Sequence, residues 1–102
     1  MMEKEELFYL ETGRAIHGAE QSQMFGKPCF KTNGKAFICF FNGQMVFKLR
    51  GDAHSRAISL RGSQLFDPSG RNRPMKEWVQ VPFEHKEAWP EFARASFEYL
   101  TG

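Results

Sequence analysis

The stretch 24–49, MFGKPCFKTNGKAFICFFNGQMVFKL, decides the fold of this 102-residue chain. It holds two Asn-Gly pairs, at 33–34 and 42–43, with an apolar run between them. Both central positions of a two-residue type I′ turn need a positive φ angle, which Asn tolerates and Gly adopts freely. The two pairs therefore predict an antiparallel meander of three strands, near 28–32, 36–41 and 44–49.

The two turns also predict which residues lie opposite each other. A two-residue first turn places Cys29 opposite Ile38, and a two-residue second turn places Ile38 opposite Phe47. In this register Cys29 and Cys39 point to opposite faces of the sheet, which excludes a disulfide between them. A three-residue first loop would reverse that assignment.

Both faces of the predicted meander are largely apolar around the middle strand. One face carries Cys29, Lys31, Ala36, Ile38, Phe40, Met45, Phe47 and Leu49, and the other carries Phe30, Thr32, Phe37, Cys39, Phe41, Gln44, Val46 and Lys48. A half-solvated sheet should instead alternate between apolar and polar residues. Three alternatives follow: helices cover both faces, the sheet curves, or part of one face meets another subunit. The third alternative makes homodimer formation an expectation, because large apolar patches mark interaction surfaces.

The rest of the chain predicts elements that cover this sheet. An amphipathic pattern and early glutamates indicate a first helix, ended by Gly13, and Asp52 is a candidate N-cap for a short middle helix. The predicted elements are a helix over 3–16, an added strand within 19–25, a helix over 53–60, an extended piece at 64–66, an irregular segment over 67–77, a strand over 78–81 and a helix over 90–100. The predicted fold class is α+β, a single domain over 1–102 with an antiparallel sheet of about five or six strands and N-terminal, short middle and C-terminal helices.

The composition sets the broad class of protein. Eleven Phe, two Trp and two Tyr indicate that apolar packing, rather than disulfides or metal, holds the domain together. There is no apolar run of transmembrane length, and the acidic N-terminus does not resemble a signal peptide. The expectation is a soluble cytoplasmic protein that does not bind membranes.

The formal net charge of +2 is unevenly distributed along the chain. Residues 1–20 carry two basic and five acidic groups, residues 21–83 ten basic and three acidic groups, and residues 84–102 two basic and four acidic groups. A basic middle between acidic ends is compatible with a surface that binds polyanions. It is equally compatible with a solvated sheet edge, where lysines prevent strand-to-strand aggregation.

The best candidate for a binding site is a set of basic residues with one tryptophan. Arginine suits bidentate contacts with phosphate or carboxylate, and aromatic side chains stack on the bases of single-stranded nucleic acid. The candidate residues are Arg50, Arg56, Arg61, Arg71, Arg73, Lys76 and Trp78. The alternative interpretation is a solvated basic surface without a ligand.

The sequence does not predict a catalytic, cofactor or metal site. The three histidines are scattered, and none lies at a ligand spacing from a cysteine or another histidine. Cys29 is the least implausible reactive group, because Lys27 and Lys31 could lower the pKa of its thiol. The alternative for each cysteine is a small buried hydrophobic residue.

Several motifs resemble one protein family in their order along the chain. They are Met24-Phe25-Gly26 before the hairpins, the Asn-Gly meander, Gly62-Ser63-Gln64-Leu65-Phe66, and the run RPMKEWVQVP at 73–82. This order resembles the TfoX N-terminal domain-like family over residues 20–100, and the related YjbR/MmcQ-type proteins are similar in length and order. The resemblance implies a small α+β fold with a curved antiparallel sheet and flanking helices. It implies no catalytic residue set, and the second, C-terminal domain of the competence regulator that names the family has no counterpart in this sequence.

Three functions are compatible with these observations. The first is a non-enzymatic interaction module, a homodimer or the binder of a protein partner, which the two-sided apolar sheet favours. The second is a nucleic-acid-binding or regulatory protein that uses the basic loop with Arg71, Arg73 and Lys76. The third is an enzyme acting on a small molecule, with Cys29 as its reactive group.

Overall fold

The computed structural model describes residues 3–24 and 26–102 of the chain. Within these residues, three α-helices and a six-stranded sheet account for most of the fold. The elements in chain order are α1 Lys4–Arg14, β1 Glu20–Met24, β2 Lys27–Thr32, β3 Lys35–Phe41, β4 Gln44–Lys48, α2 Gly51–Ile58, β5 Gln64–Phe66, β6 Met75–Val81, a 3₁₀ helix Phe83–Ala88 and α3 Trp89–Thr101. The α+β architecture expected from the sequence is confirmed.

The strands form one antiparallel sheet in the order β1-β2-β3-β4-β6-β5. The first four strands are a meander, and β6 then lies between β4 and β5. Asn33 and Asn42 both have φ of 51°, and the glycine after each also has positive φ, as the two predicted I′ turns require. The predicted strand within 19–25 is present as β1, although Phe25 lies outside the described residues.

The register between β2 and β3 differs from the prediction by one residue. Phe30, not Cys29, lies opposite Ile38, and Cys29 lies opposite Cys39. The cause is a bulge between the Lys31–Ala36 and Phe30–Ile38 pairs, where β3 contains one residue more than β2. The prediction that the two cysteines point to opposite faces is therefore wrong, although the first turn has its predicted length.

The extra residue in the bulge is Phe37, and its burial explains why the bulge is stable. Phe37 and Ile38 are consecutive, yet both are fully buried in the same core cluster beneath the helices. The Phe37 ring meets the Phe97 ring of α3 edge-on, with 5.4 Å between their centroids. Beyond the bulge the predicted register of β3 and β4 is confirmed, since Ile38 lies opposite Phe47.

The helices cover one face of the sheet and form the main core with it. Tyr9 of α1 inserts between two rings of the sheet, with centroids 5.4 Å from Phe30 and 5.1 Å from Phe40. On α3, Phe92 lies 5.7 Å from Phe47. Aromatic pairs at these distances contribute beyond the apolar area that they bury, so ring packing holds both long helices to the sheet.

The other face is closed by the strands themselves. Its buried residues are Cys29, Cys39, Val46, Phe66 and Trp78, and every side chain packed around them also belongs to a strand. Phe41 and Phe66 are 5.3 Å apart between ring centroids, although β4 and β6 separate their strands. Three strand spacings in a flat sheet would span about 14 Å. Of the three alternatives left by the sequence, the structure therefore shows a curved sheet, and we call this set of five residues the inner cluster.

Three local expectations are corrected by the structure. Gly13 lies inside α1 rather than ending it, and Asp52 lies in the first turn of α2 rather than at its N-cap, which is Arg50. The strand predicted over 78–81 begins at Met75, which shortens the irregular segment to 67–74. In the described residues, no helix is both long and apolar enough to cross a membrane.

Gly13 offers a test of how closely α1 approaches the sheet. Helix propensity alone predicts that Gly13→Ala stabilises the protein by about 1 kcal/mol. In the structure, however, a Cβ atom at Gly13 would lie 2.1 Å from Cε1 of Phe30. We expect this overpacking to lower the free energy of unfolding by about 2–3 kcal/mol, measured by urea denaturation.

The control for this measurement is Arg14→Ala, at the exposed neighbouring position. It should change the free energy of unfolding by less than about 0.5 kcal/mol. A Gly13→Ala variant more stable than the wild type would contradict the close packing of α1 on Phe30.

Candidate functional site

The connections at one end of the sheet bring together basic residues that are distant in the sequence. Because the paired strands are antiparallel, the 33–34 turn, the end of β4 and the 67–74 segment before β6 lie at the same end. We call it the basic end. Its basic residues are Lys31, Lys35, Lys48, Arg50, Arg71, Arg73 and Lys76.

The opposite end of the sheet is acidic. The first turn of α1 lies beside the 42–43 turn, where the Glu5 side chain approaches Gly43. Glu84 and Glu87 belong to the 3₁₀ helix that follows the end of β6. These glutamates therefore lie at the end of the sheet opposite the basic end, whereas Glu20 lies opposite Lys31 at the basic end itself.

Tyr99 of α3 organises two cations of the basic end. The guanidinium carbon of Arg50 lies 4.5 Å from the centroid of the Tyr99 ring, and Nζ of Lys48 lies 5.9 Å from it. The Tyr99 hydroxyl donates a hydrogen bond to the carboxylate of Glu77, which raises the pKa of Tyr99. In the described part of the chain neither Lys48 nor Arg50 has a carboxylate within 4 Å. Cation–π contacts therefore position both side chains while their charges remain available to a ligand.

The 67–74 segment is ordered by one carboxylate. Asp67 accepts hydrogen bonds from the backbone N–H groups of Ser69, Gly70 and Arg73, at 3.1, 3.2 and 3.0 Å. The Ser69 hydroxyl also donates to Asp67, and this bond makes the largest contribution to the lowered pKa of the carboxyl. The side chains of Arg71 and Arg73 remain exposed. The segment thus presents two guanidinium groups on a backbone that is held in place.

Two candidate residues do not join the basic end. Arg56 forms ion pairs with Asp52 and Glu91, and Arg61 pairs with Glu84 at 3.3 Å. The carboxylates offset the charges of the two arginines. The Arg56–Glu91 pair links α2 to α3, and the Arg61–Glu84 pair links the segment after α2 to the 3₁₀ helix. The structure therefore divides the seven candidates from the sequence into a group at the basic end and a pair engaged in ion pairs.

Trp78 lies at the basic end, but its indole is not an open stacking surface. It is only 6% exposed, belongs to the inner cluster and lies opposite Lys48, whose Nζ is 6.0 Å from the ring. No sequence pattern singled out Lys31, Lys35, Lys48 or Tyr99 as a site residue. The two lysines beside the first Asn-Gly turn could have been found from that turn, whereas nothing in the sequence links Tyr99 to Arg50.

The structure does not support Cys29 as a reactive thiol with a lowered pKa. Cys29 is fully buried, and desolvation raises the pKa of its thiol despite the opposing charge of Lys31. The expected lowering of this pKa does not occur, because removal of the thiolate from water outweighs one nearby ammonium. In residues 3–24 and 26–102, no group of three or more His, Cys, Asp or Glu side chains could hold a metal ion.

We predict that Asp67→Ala loosens the 67–74 segment without unfolding the domain. Backbone amides of Ser69, Gly70 and Arg73 should exchange with solvent at least several-fold faster than in the wild type near neutral pH, because they lose their acceptor. The lowered pKa means that the wild-type contribution is complete above the ordinary Asp pKa of about 4. It should be lost as the pH falls through the lower value of the folded state.

Hydrogen exchange followed by NMR measures this effect, and Asp52→Ala is the matched control for removing an exposed carboxylate elsewhere. Equal exchange rates of the three amides in wild type and Asp67→Ala would show that the carboxylate does not order the segment.

Comparison of the chain with protein-family models, with curated proteins and with solved structures finds no match.

Proposed function

We propose that this chain is a non-enzymatic binding module whose basic end binds single-stranded nucleic acid. The observation that carries the proposal is the convergence of seven basic residues at one end of the sheet. Of the acidic residues near them, Asp67 accepts hydrogen bonds from its own loop, Glu77 accepts one from Tyr99, and Glu20 lies opposite Lys31 on β1. The resulting surface has unbalanced positive charge, which is the electrostatic signature of polyanion binding.

The expected binding mode is dominated by phosphate contacts. Lysine and arginine side chains that neutralise phosphates release condensed counterions, so affinity falls as the salt concentration rises. Arg71 and Arg73 project from the ordered 67–74 segment, while Lys48 and Lys76 lie on adjacent strands. A flexible single strand can adapt its backbone to this uneven arrangement.

Arg50 supplies an additional contact for an unpaired base. Its guanidinium group lies over the Tyr99 ring, and the residue is exposed. Planar guanidinium groups stack on bases as well as pairing with phosphates. In this proposal Arg50 takes the stacking role that the sequence suggested for Trp78.

A protein partner or a homodimer has less support from the structure. The expectation of a dimer came from an apolar sheet face, and this face is occupied by the inner cluster. Among the described residues, Leu7 is the one large hydrophobic residue that is exposed, at 47%. The oligomeric state stays a prediction. Membership of the TfoX N-terminal domain-like family is likewise a proposal, and it rests on the order of the sequence motifs.

We predict that Arg71→Ala/Arg73→Ala weakens binding of a fluorescein-labelled poly(dT) oligonucleotide at least about tenfold at 50 mM salt, because each lost phosphate contact removes counterion release. Fluorescence anisotropy measures the dissociation constant across a salt series. The slope of log affinity against log salt should also become shallower by about 1.4 for two lost contacts.

The matched control is Lys4→Ala/Lys86→Ala, which removes the same charge from exposed lysines near the acidic end. It should leave the slope unchanged and alter affinity by less than about twofold. Absence of binding by the wild type at low salt would exclude the proposed function. An equal loss of affinity in both double variants would show that net charge, and not the basic end, determines binding.

A further inference from the structure

A cleft between α1 and α3 takes no part in the proposed function. Its volume is about 210 Å³, and none of the residues that line it belongs to the basic end. The lining includes Phe8, Thr12 and Ile16 from α1 and the residues after it, and Pro90 from α3. The two helices thus leave an opening of small-molecule size on the helical side of the sheet.

Apolar and internally bonded side chains form the wall of this cleft. Thr12 and Ile16 are buried, and the Thr12 hydroxyl donates a hydrogen bond to the Phe8 carbonyl at 2.8 Å. The Phe8 ring is held by edge-on contacts with Phe83 and Trp89, at 6.1 and 5.8 Å between centroids. An apolar cavity of about 150 Å³ is enough to bind benzene. The cleft is therefore preformed for an apolar group about as large as a phenyl ring.

Two opposite charges lie at the rim of the cleft, one on each helix. Glu11 of α1 and Arg94 of α3 both line it, and both are exposed. In the part of the chain that the structure describes, neither side chain has an oppositely charged partner within 4 Å. Glu11 also lies in the last turn of α1, where the helix dipole favours a cation. The rim is thus complementary to one ammonium group and one carboxylate.

We propose that this cleft binds a free α-amino acid with a large apolar side chain. The apolar side chain occupies the interior, the ammonium group pairs with Glu11, and the carboxylate pairs with Arg94, whose guanidinium group suits bidentate contacts. A carboxylic acid without an ammonium group would leave Glu11 unpaired and be repelled by it, and a simple amine would be repelled by Arg94. The zwitterion balances both charges. Binding here is independent of nucleic-acid binding at the basic end, so either proposal can fail while the other holds.

The test is a titration of the ¹⁵N-labelled protein with L-phenylalanine, followed by NMR. A concentration of up to about 10 mM nearly saturates a site with a Kd of about 1 mM, and it should shift the backbone amides of Thr12, Ala15 and Arg94. The analogue 3-phenylpropionate lacks the ammonium group, and 2-phenylethylamine lacks the carboxylate. Each should bind at least about fivefold more weakly, because one bond between charged groups is lost. Unchanged cleft amides would overturn the site, and equal affinity for either analogue would overturn recognition of the zwitterion.

Two variants assign the charges at the rim. Glu11→Gln should weaken phenylalanine binding at least about fivefold without weakening that of 3-phenylpropionate, and Arg94→Gln should do the same without weakening that of 2-phenylethylamine. The matched control is Glu98→Gln, which removes an exposed carboxylate of α3 outside the cleft and should bind phenylalanine as the wild type does. The spectrum of each unliganded variant verifies that it folds. Wild-type affinity for phenylalanine in both rim variants would overturn the proposal.

Discussion

The insertion of Phe37 into β3 is the local constraint on which the sheet depends. A sheet with a strict two-residue period would send Phe37 and Ile38 to opposite faces. The bulge sends both into the core beneath the helices, where Phe37 meets Phe97 of α3. Burying one more phenylalanine compensates for the disrupted strand pairing, since full burial of such a side chain contributes about 1.5–3 kcal/mol.

The bulge also bears on the shape of the sheet. Bulges bend the strand that contains them and increase its local twist. In this domain the strands curve until Phe41 on β3 touches Phe66 on β5. The inner cluster is consequently buried without help from any helix, and the Cys29–Cys39 pair forms part of it. One inserted residue thus connects helix packing, the closure of the second face and the juxtaposition of the thiols.

Chain connectivity, rather than any single motif, concentrates charge at the basic end. Each antiparallel turn returns the chain to an end that it has already visited, so lysines and arginines separated by tens of residues become neighbours. Exposed ion pairs contribute little to stability, and in the described residues neither Lys48 nor Arg50 has a carboxylate within 4 Å. The glutamates of the first turn of α1 and of the 3₁₀ helix lie at the opposite end of the sheet.

Elements that depend on local chemistry could be predicted from the amino-acid sequence. The Asn-Gly pairs specified both turns because the tolerance of positive φ is a local property of Asn and Gly. The amphipathic pattern placed α1 and α3 to within a few residues. Arg71 and Arg73 could be assigned to an irregular segment because two prolines and a glycine interrupt the chain there. Three features are visible only in the folded protein: Cys29 opposite Cys39, the ion pair of Arg56 with Glu91 and the contact of Arg50 with Tyr99. These depend on a bulge, on helix docking and on curvature, which arise from packing between residues that are distant in the chain and have no local signature.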